Sequence, residues 1–256
     1  MKRFDIIDYM EISRMSKERR KGVISLVILA FVFATMGIFA RYLSTDFALL
    51  EQTYLRIGLA FLLGVILFYR QLDWRKLKTL PKKDWGILFF RAFALYLGVV
   101  LFTEALLNAK YGNASLIASF PLLPIFGYVF LRERLMPKTV LFILIGFVGV
   151  LLMTVGSLAD FANFRLGYGE VMALCSVIAF DFSYIARRWH SDHLNNRESA
   201  VFMFAVGTIL LFITSFLLKE PTPTLDQFTW PIIGALVFSA LFNVANLYLT
   251  NYGFQR

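Results

Sequence analysis

Four charged residues interrupt long apolar runs and could do chemistry there: Arg56, Arg91, Glu104 and Asp181. A guanidinium binds a carboxylate or phosphate through two parallel hydrogen bonds, and a carboxylate can pair with it or carry a proton. A second set is uncharged. Ser115 and Ser119 precede Pro121 and Pro124 in one apolar run, where each proline removes a backbone donor and frees a carbonyl. Asn243 and Asn246 lie three apart, hence on one face of a helix. Metal and disulfide chemistry have little to draw on, with one cysteine, Cys175, and two histidines, His190 and His193, which read as solvated loop residues. No catalytic serine, aspartate or histidine motif occurs in the apolar runs, so neither an enzyme nor a cofactor is expected.

The elements that must hold these residues are membrane helices. Hydrophobic residues make up 59% of the 256 and charged residues 17%, against about 45–50% and 25% in soluble domains. A bilayer core needs about 20 residues of helix. Eight runs approach that length: Gly22–Ala40, Phe47–Tyr69, Trp85–Leu107, Ala114–Leu131, Thr139–Gly156, Gly167–Ala186, Ser199–Leu218 and Trp230–Thr250. Unpaired backbone groups are not tolerated in lipid, so continuous apolar runs imply helices, whereas barrel strands would alternate. The connections are polar, with Asp84 placed to cap the third span and Pro231 in the first turn of the eighth.

Basic residues fix an orientation. Under strict alternation, 20 Lys and Arg fall on the side of the N-terminus and four on the other, with Arg56 and Arg91 inside spans. By the positive-inside rule both ends are cytoplasmic. The net charge of +9 is then a topology signal, and no nucleic-acid partner is expected. The first 21 residues lack a cleavage site and do not read as a signal peptide. At 1.5 Å per residue, Arg56 lies roughly 14 Å from the outer face, near mid-membrane. Arg91 and Asp181 both lie roughly 9 Å from the cytoplasmic face, a depth that would let them pair as an inner gate or let Asp181 take a proton. Glu104, Glu51 and Glu170 lie nearer the outer ends and read as hydrated.

Spans 1–3 and 6–8 match in order and spacing. Gly22 and Gly167 open the first and sixth at an offset of 145, and Glu51 and Glu198 mark the second and seventh at an offset of 147. Five spans per repeat is odd, so the second copy is inverted across the membrane, a plan recurrent in secondary transporters with substrate held at the repeat interface.

The stretch from Ala105 to Leu135, ALLNAKYGNASLIASFPLLPIFGYVFLRERL, has a small-residue entry, a mid-span proline and a terminal Glu133. Together with Arg56 in LRIG it resembles the EamA-type members of the drug/metabolite transporter superfamily, over roughly residues 16–256. That resemblance implies ten helices in two inverted five-helix repeats and the movement of metabolites such as amino acids, nucleosides or vitamins. The expected fold is an all-α polytopic membrane protein with eight transmembrane helices. Its segments are a cytoplasmic stretch 1–21, a first repeat 22–156 and a second, inverted repeat 167–256. The expected function is secondary transport of a small metabolite across the cytoplasmic membrane by alternating access. The alternatives are a non-transporting scaffold or inactive fragment and, less favoured, a membrane enzyme. Candidate substrate-binding residues are Arg56, Glu104, Ser115, Ser119, Pro121, Asn243 and Asn246, and candidate gating or proton-coupling residues are Arg91 and Asp181. Two readings of Arg56 stand: an anchor for a substrate anion, or a structural group bonded to helix-end carbonyls or hydroxyls. For Asn243 and Asn246 they are cavity lining and helix–helix glue. Partners are a small-molecule metabolite and the lipid bilayer. The second repeat stops where the twin of the Pro121 helix would begin, so the reading expects a truncated second repeat, with completion as a homodimer the alternative.

Overall fold

A computed structural model describes residues 24–25, 27–132, 136–154, 167–189 and 193–253. The N-terminal segment, the 157–166 loop and His190 lie outside them. The described residues form helices and turns without a strand. In chain order the helices are α1 (Val27–Leu43), α2 (Leu49–Phe68), the short α3 (Arg75–Thr79), α4 (Lys82–Asn108), α5 (Tyr111–Ala118), α6 (Leu122–Leu131), α7 (Pro137–Thr154), α8 (Tyr168–Trp189), α9 (Asn196–Leu217) and α10 (Trp230–Gly253). Among the described residues, taking α5 and α6 as one broken span, six helices are long and apolar enough to cross a membrane, while α1 contributes a shorter apolar stretch, as does Val140–Gly149 of α7. Phe31, Phe142, Leu152, Phe216 and Leu217 are among many large apolar side chains left exposed. Water would not tolerate so much apolar surface, but lipid does. The chain is a multi-pass membrane protein.

Helices α4 and α9 begin three residues before their apolar runs do, because their first turns hold polar residues. Asp84 is not the cap of α4. Pro81, with φ fixed near −57°, occupies that position, so Asp84 falls in the first turn and meets His193 Nδ1 at 3.1 Å. Thus His193, though largely exposed, is tied at one ring nitrogen. Glu51 and Glu170 are buried rather than hydrated, and for the same reason. Glu51 Oε2 accepts from Ala48 N at 2.9 Å, while Glu170 accepts from Gly167 N at 3.1 Å and from Asn113 Nδ2 at 2.9 Å.

Helix α2 stands between α9 and α10, and α4 runs along α8 in the most extensive helix pair. Small residues permit these approaches. A side chain at Gly58 or Gly64 would meet Thr208 or Val201 of α9, and one at Gly98 would press on the Phe180 ring. At Gly169 the neighbour is backbone: a Cβ would stand 2.7 Å from Ala109 N and 2.7 Å from the Asn108 carbonyl carbon, at the end of α4. Gly169→Ala must therefore lever the start of α8 away from α4. It should lower folding stability by about 1–3 kcal/mol. Gly86→Ala, facing open space at the start of α4, should leave stability unchanged or raise it by up to about 1 kcal/mol. Thermal unfolding of both variants in one detergent checks the contrast, and equal midpoints would show that the α4–α8 approach yields freely.

The two ends of the α2–α9 pair are closed by carboxylates. Ala48 precedes α2 and has no side-chain acceptor for the helix's first amides. Lys219, in the left-handed region at φ 56°, ends α9 and turns Glu220 back, so that its carboxylate accepts from Leu50 N and Glu51 N at 3.1 Å. At the opposite end Asn195 caps α9 through Arg197 N and Glu198 N, each at 2.9 Å. Glu198 in turn accepts from Asn195 N (2.8 Å), Asp73 N (3.2 Å) and Lys76 Nζ (3.0 Å). With α2 starting beside the end of α9 and ending beside its start, the two helices are antiparallel.

Candidate functional site

A cavity opens in the middle of the bundle. Its walls are Phe33, Met36, Gly37 and Ala40 from α1, Arg56 and Ile57 from α2, Tyr96, Phe102 and Thr103 among others from α4, Phe180 and Tyr184 from α8, Phe204 from α9, and Asn243, Asn246, Leu247 and Thr250 from α10. Its open volume is about 60 Å³, room for about four waters. A wider chamber of about 530 Å³ adjoins it and shares Phe33, Phe102, Tyr184, Asn246 and Thr250; its other walls include Tyr111, Ser115 and Ser119.

The sequence places polar groups on these walls one helical turn at a time. Arg56 follows Gln52 on α2 by four residues, and both are buried. The Arg56 side chain is 3% exposed, and its buried Nε has no hydrogen-bond partner among the described residues. A charge at the centre of a bilayer span costs at least about 2.5–3.5 kcal/mol and normally finds a partner. No helix-end carbonyl or hydroxyl among the described residues bonds that Nε. The Tyr96 hydroxyl is likewise buried without a partner, as are Ser239 Oγ and the Gln52 amide.

On α10, Asn243 Nδ2 donates to Ser239 O at 2.8 Å, and Asn246 Nδ2 reaches Met36 Sδ at 3.4 Å, a weak acceptor. Both amides stand on the cavity wall rather than only between helices. Ser115 and Ser119 line the wider chamber, and the helix breaks just after them, between Ala118 and Leu122, where Pro121 stands. Pro121 itself borders neither chamber; it sets the angle of α6 on α5. Glu104 stands apart from both chambers, with its Oε1 accepting from Asn108 Nδ2 at 3.1 Å and Tyr168 Oη at 3.3 Å.

Arg91 and Asp181 are both buried, but in this conformation they hold different company. Arg91 Nη1 donates to Ser199 Oγ at 2.9 Å and its Nε to the Ser183 carbonyl at 3.4 Å, while the Ser183 hydroxyl returns a bond to the Arg91 carbonyl at 2.9 Å. Arg91 thus joins α4 to α8 and α9. Asp181 is 5% exposed, and its Oδ2 has no hydrogen-bond partner among the described residues. It sits on α8 between the cavity residues Phe180 and Tyr184.

Tyr96 and Met36 entered no sequence reading of the site. A tyrosine or methionine in a membrane span is ordinary, and only the fold shows which faces the cavity. Among the described residues, no group of three histidine, cysteine or acidic side chains could hold a metal.

Two comparisons bear on this arrangement. A family model described as the EamA-like transporter family matches residues 20–155, from before α1 to the end of α7. No curated protein matches the chain.

Proposed function

The chain belongs to the EamA-like transporter family, whose model covers more than half of it, and from that premise we propose that it is a secondary transporter carrying a small metabolite across the cytoplasmic membrane by alternating access. The observation that carries this reading is the cavity, whose walls come from α1, α2 and α4 on one side and α8, α9 and α10 on the other. A solute bound there touches both halves of the carrier, so that rocking one against the other exposes it to either side.

Inverted repeats are part of the proposal. Under the offset of 147, Glu51 corresponds to Glu198 and Asp73 to Glu220. These are the residues that meet at the two ends of the antiparallel α2–α9 pair. In the same correspondence the α4–α8 pair is the counterpart of α10 against α1, where Leu43 and Phe47 pack with Ile232, Ala235 and Leu236. Eight membrane-crossing segments with a cytoplasmic N-terminus complete the reading. Asp181 is the proposed proton-coupling group, and Arg91 exchanges Ser199 and Ser183 for Asp181 in the alternate state.

Uptake into proteoliposomes, with a metabolite panel and with or without an imposed pH gradient, tests transport directly. Saturable uptake of at least one compound is expected. A folded protein that moves none of them overturns the reading in favour of a scaffold or inactive fragment. Topology is tested separately. With Cys175 replaced by serine, single cysteines in the 157–166 and 220–229 loops should label from outside intact cells. Cysteines in the 70–83 and 187–197 loops should label only after permeabilisation. Outside labelling at 70–83 would refute the orientation.

A further inference from the structure

We propose, resting on the transport reading, that the cavity selects an organic monoanion, with one carboxylate seated against Arg56 and an apolar or aromatic body in the adjoining chamber. Three observations converge on it. Arg56 is buried on the cavity wall, and its Nε has no hydrogen-bond partner among the described residues. The guanidinium fork matches a carboxylate through two parallel bonds, and the Tyr96 hydroxyl, also buried on this wall without a partner among the described residues, is a further donor.

The second observation is a charge count. Among the described residues, Arg56 is the one charged side chain on the walls of the two chambers. One anionic charge on the ligand neutralises it. A second anionic charge, or an ammonium group, would enter a low-dielectric space with no counter-ion among the lining residues, and the desolvation would go uncompensated. The third is shape. The chamber beside Arg56 is small, about 60 Å³, and suits a head group. The wider one, about 530 Å³, is walled by Phe33, Phe102 and Tyr184 and suits a hydrophobic body.

The test uses the full chain in detergent and a set of probes sharing one phenyl tail: 3-phenylpropionate, its uncharged amide, phenethylamine, phenylalanine as the zwitterion and phenylsuccinate as the dianion. Octanoate and indole-3-acetate extend the carboxylates. Monocarboxylates should raise the thermal unfolding midpoint, and the amide, amine, zwitterion and dianion should do so at least tenfold less potently. Arg56→Gln should raise the Kd of 3-phenylpropionate at least tenfold, and Arg56→Lys should restore part of the loss.

Should Arg56→Gln fail to fold, Asn243→Asp serves instead. It places a fixed carboxylate on the same wall, at the cost of the amide bond to the Ser239 carbonyl, so carboxylate binding should be lost. The proposal is overturned if no carboxylate shifts the midpoint, if the amide matches the acid, or if Asn243→Asp leaves carboxylate binding intact. The transport reading fails separately. Arg56-dependent carboxylate binding with no uptake of any compound in proteoliposomes would keep the anion site and remove the carrier. Uptake of neutral or cationic compounds alone would keep the carrier and remove the anion site.

Discussion

Glu198→Ala should destabilise the protein by about 3 kcal/mol, the largest loss expected from any single substitution outside the cavity. The carboxylate is fully buried and accepts three hydrogen bonds, from Asn195 N, Asp73 N and Lys76 Nζ. Two of the donors are backbone amides. Removing their acceptor leaves groups whose desolvation costs about 1–3 kcal/mol each where water cannot reach them. The reciprocal half of the α9 capping box is lost as well, about 1 kcal/mol. Relief of burying the carboxylate offsets part of this, which keeps the expected total near 3 kcal/mol. Lys76→Ala separates the contributions. Lys76 is substantially exposed, so its charge is screened and its removal should cost less than about 1 kcal/mol. Glu198→Gln, which can still accept one amide bond, should fall between the two. Unfolding midpoints of the three variants in one detergent give the order. If Lys76→Ala costs as much as Glu198→Ala, the ion pair rather than the backbone capping holds this end of the α2–α9 pair.

The mirror position shows why that end differs from its counterpart. Asn195 provides α9 with a cap from its own chain segment. Ala48 gives α2 none, and Glu220 reaches over from the end of α9 to do it. Glu220→Gln should therefore loosen α2 against α9, where an intrahelical cap would have left the pair indifferent. The sequence offers Glu51 and Glu198 at matching positions, but nothing in it says that one helix caps itself and the other borrows its cap.

The helices themselves were legible. An apolar run of about 20 residues in a chain this hydrophobic has few alternatives to a membrane helix, and the runs from Phe47, Trp85, Gly167, Ser199 and Trp230 each fall within a few residues of a helix in the structure. Two of these helices, α4 and α9, start three residues before their apolar runs, because hydropathy stops at the first polar side chain whereas the backbone continues through it. Lys82–Asp84 and Asn196–Glu198 are first turns built from polar residues. The same cause hid the burial of Glu51 and Glu170: acid near a span end looks hydrated unless the amides it caps are known.

The site was legible as an inventory and not as an assembly. Arg56, Asn243 and Asn246 stand out because polar groups in apolar spans are costly, and all three reach one cavity. Depth alone brought Arg91 and Asp181 to one level, but the rotation of α4 and α8 decides contact, and here it turns Arg91 toward Ser199 and the Ser183 carbonyl. The sequence left Arg56 open between anchor and structural post. In the structure its buried Nε has no hydrogen-bond partner among the described residues, which leaves that donor open to a ligand.

Asp181→Asn should abolish uphill, pH-driven accumulation while leaving downhill exchange of substrate across the membrane. Asp181 stands on α8 between two residues of the cavity wall, and its Oδ2 carries no hydrogen bond that would commit it to a structural duty. A carboxylate with an open lone pair can take up and release a proton as the cavity faces one side and then the other, and a carboxamide of nearly the same shape cannot. The variant should therefore fold, bind and exchange, since those steps need the cavity rather than the proton. Accumulation ratios under an imposed pH gradient should fall to those set by equilibration alone, and counterflow from preloaded vesicles should persist. Arg91→Gln provides the companion measurement. If Arg91 leaves Ser199 to meet Asp181 in the alternate state, its loss should slow exchange and accumulation together, because it acts on the conformational step that both share. Accumulation by Asp181→Asn at the unmodified level would remove Asp181 from coupling, and full transport by both variants would remove the pair from gating as well.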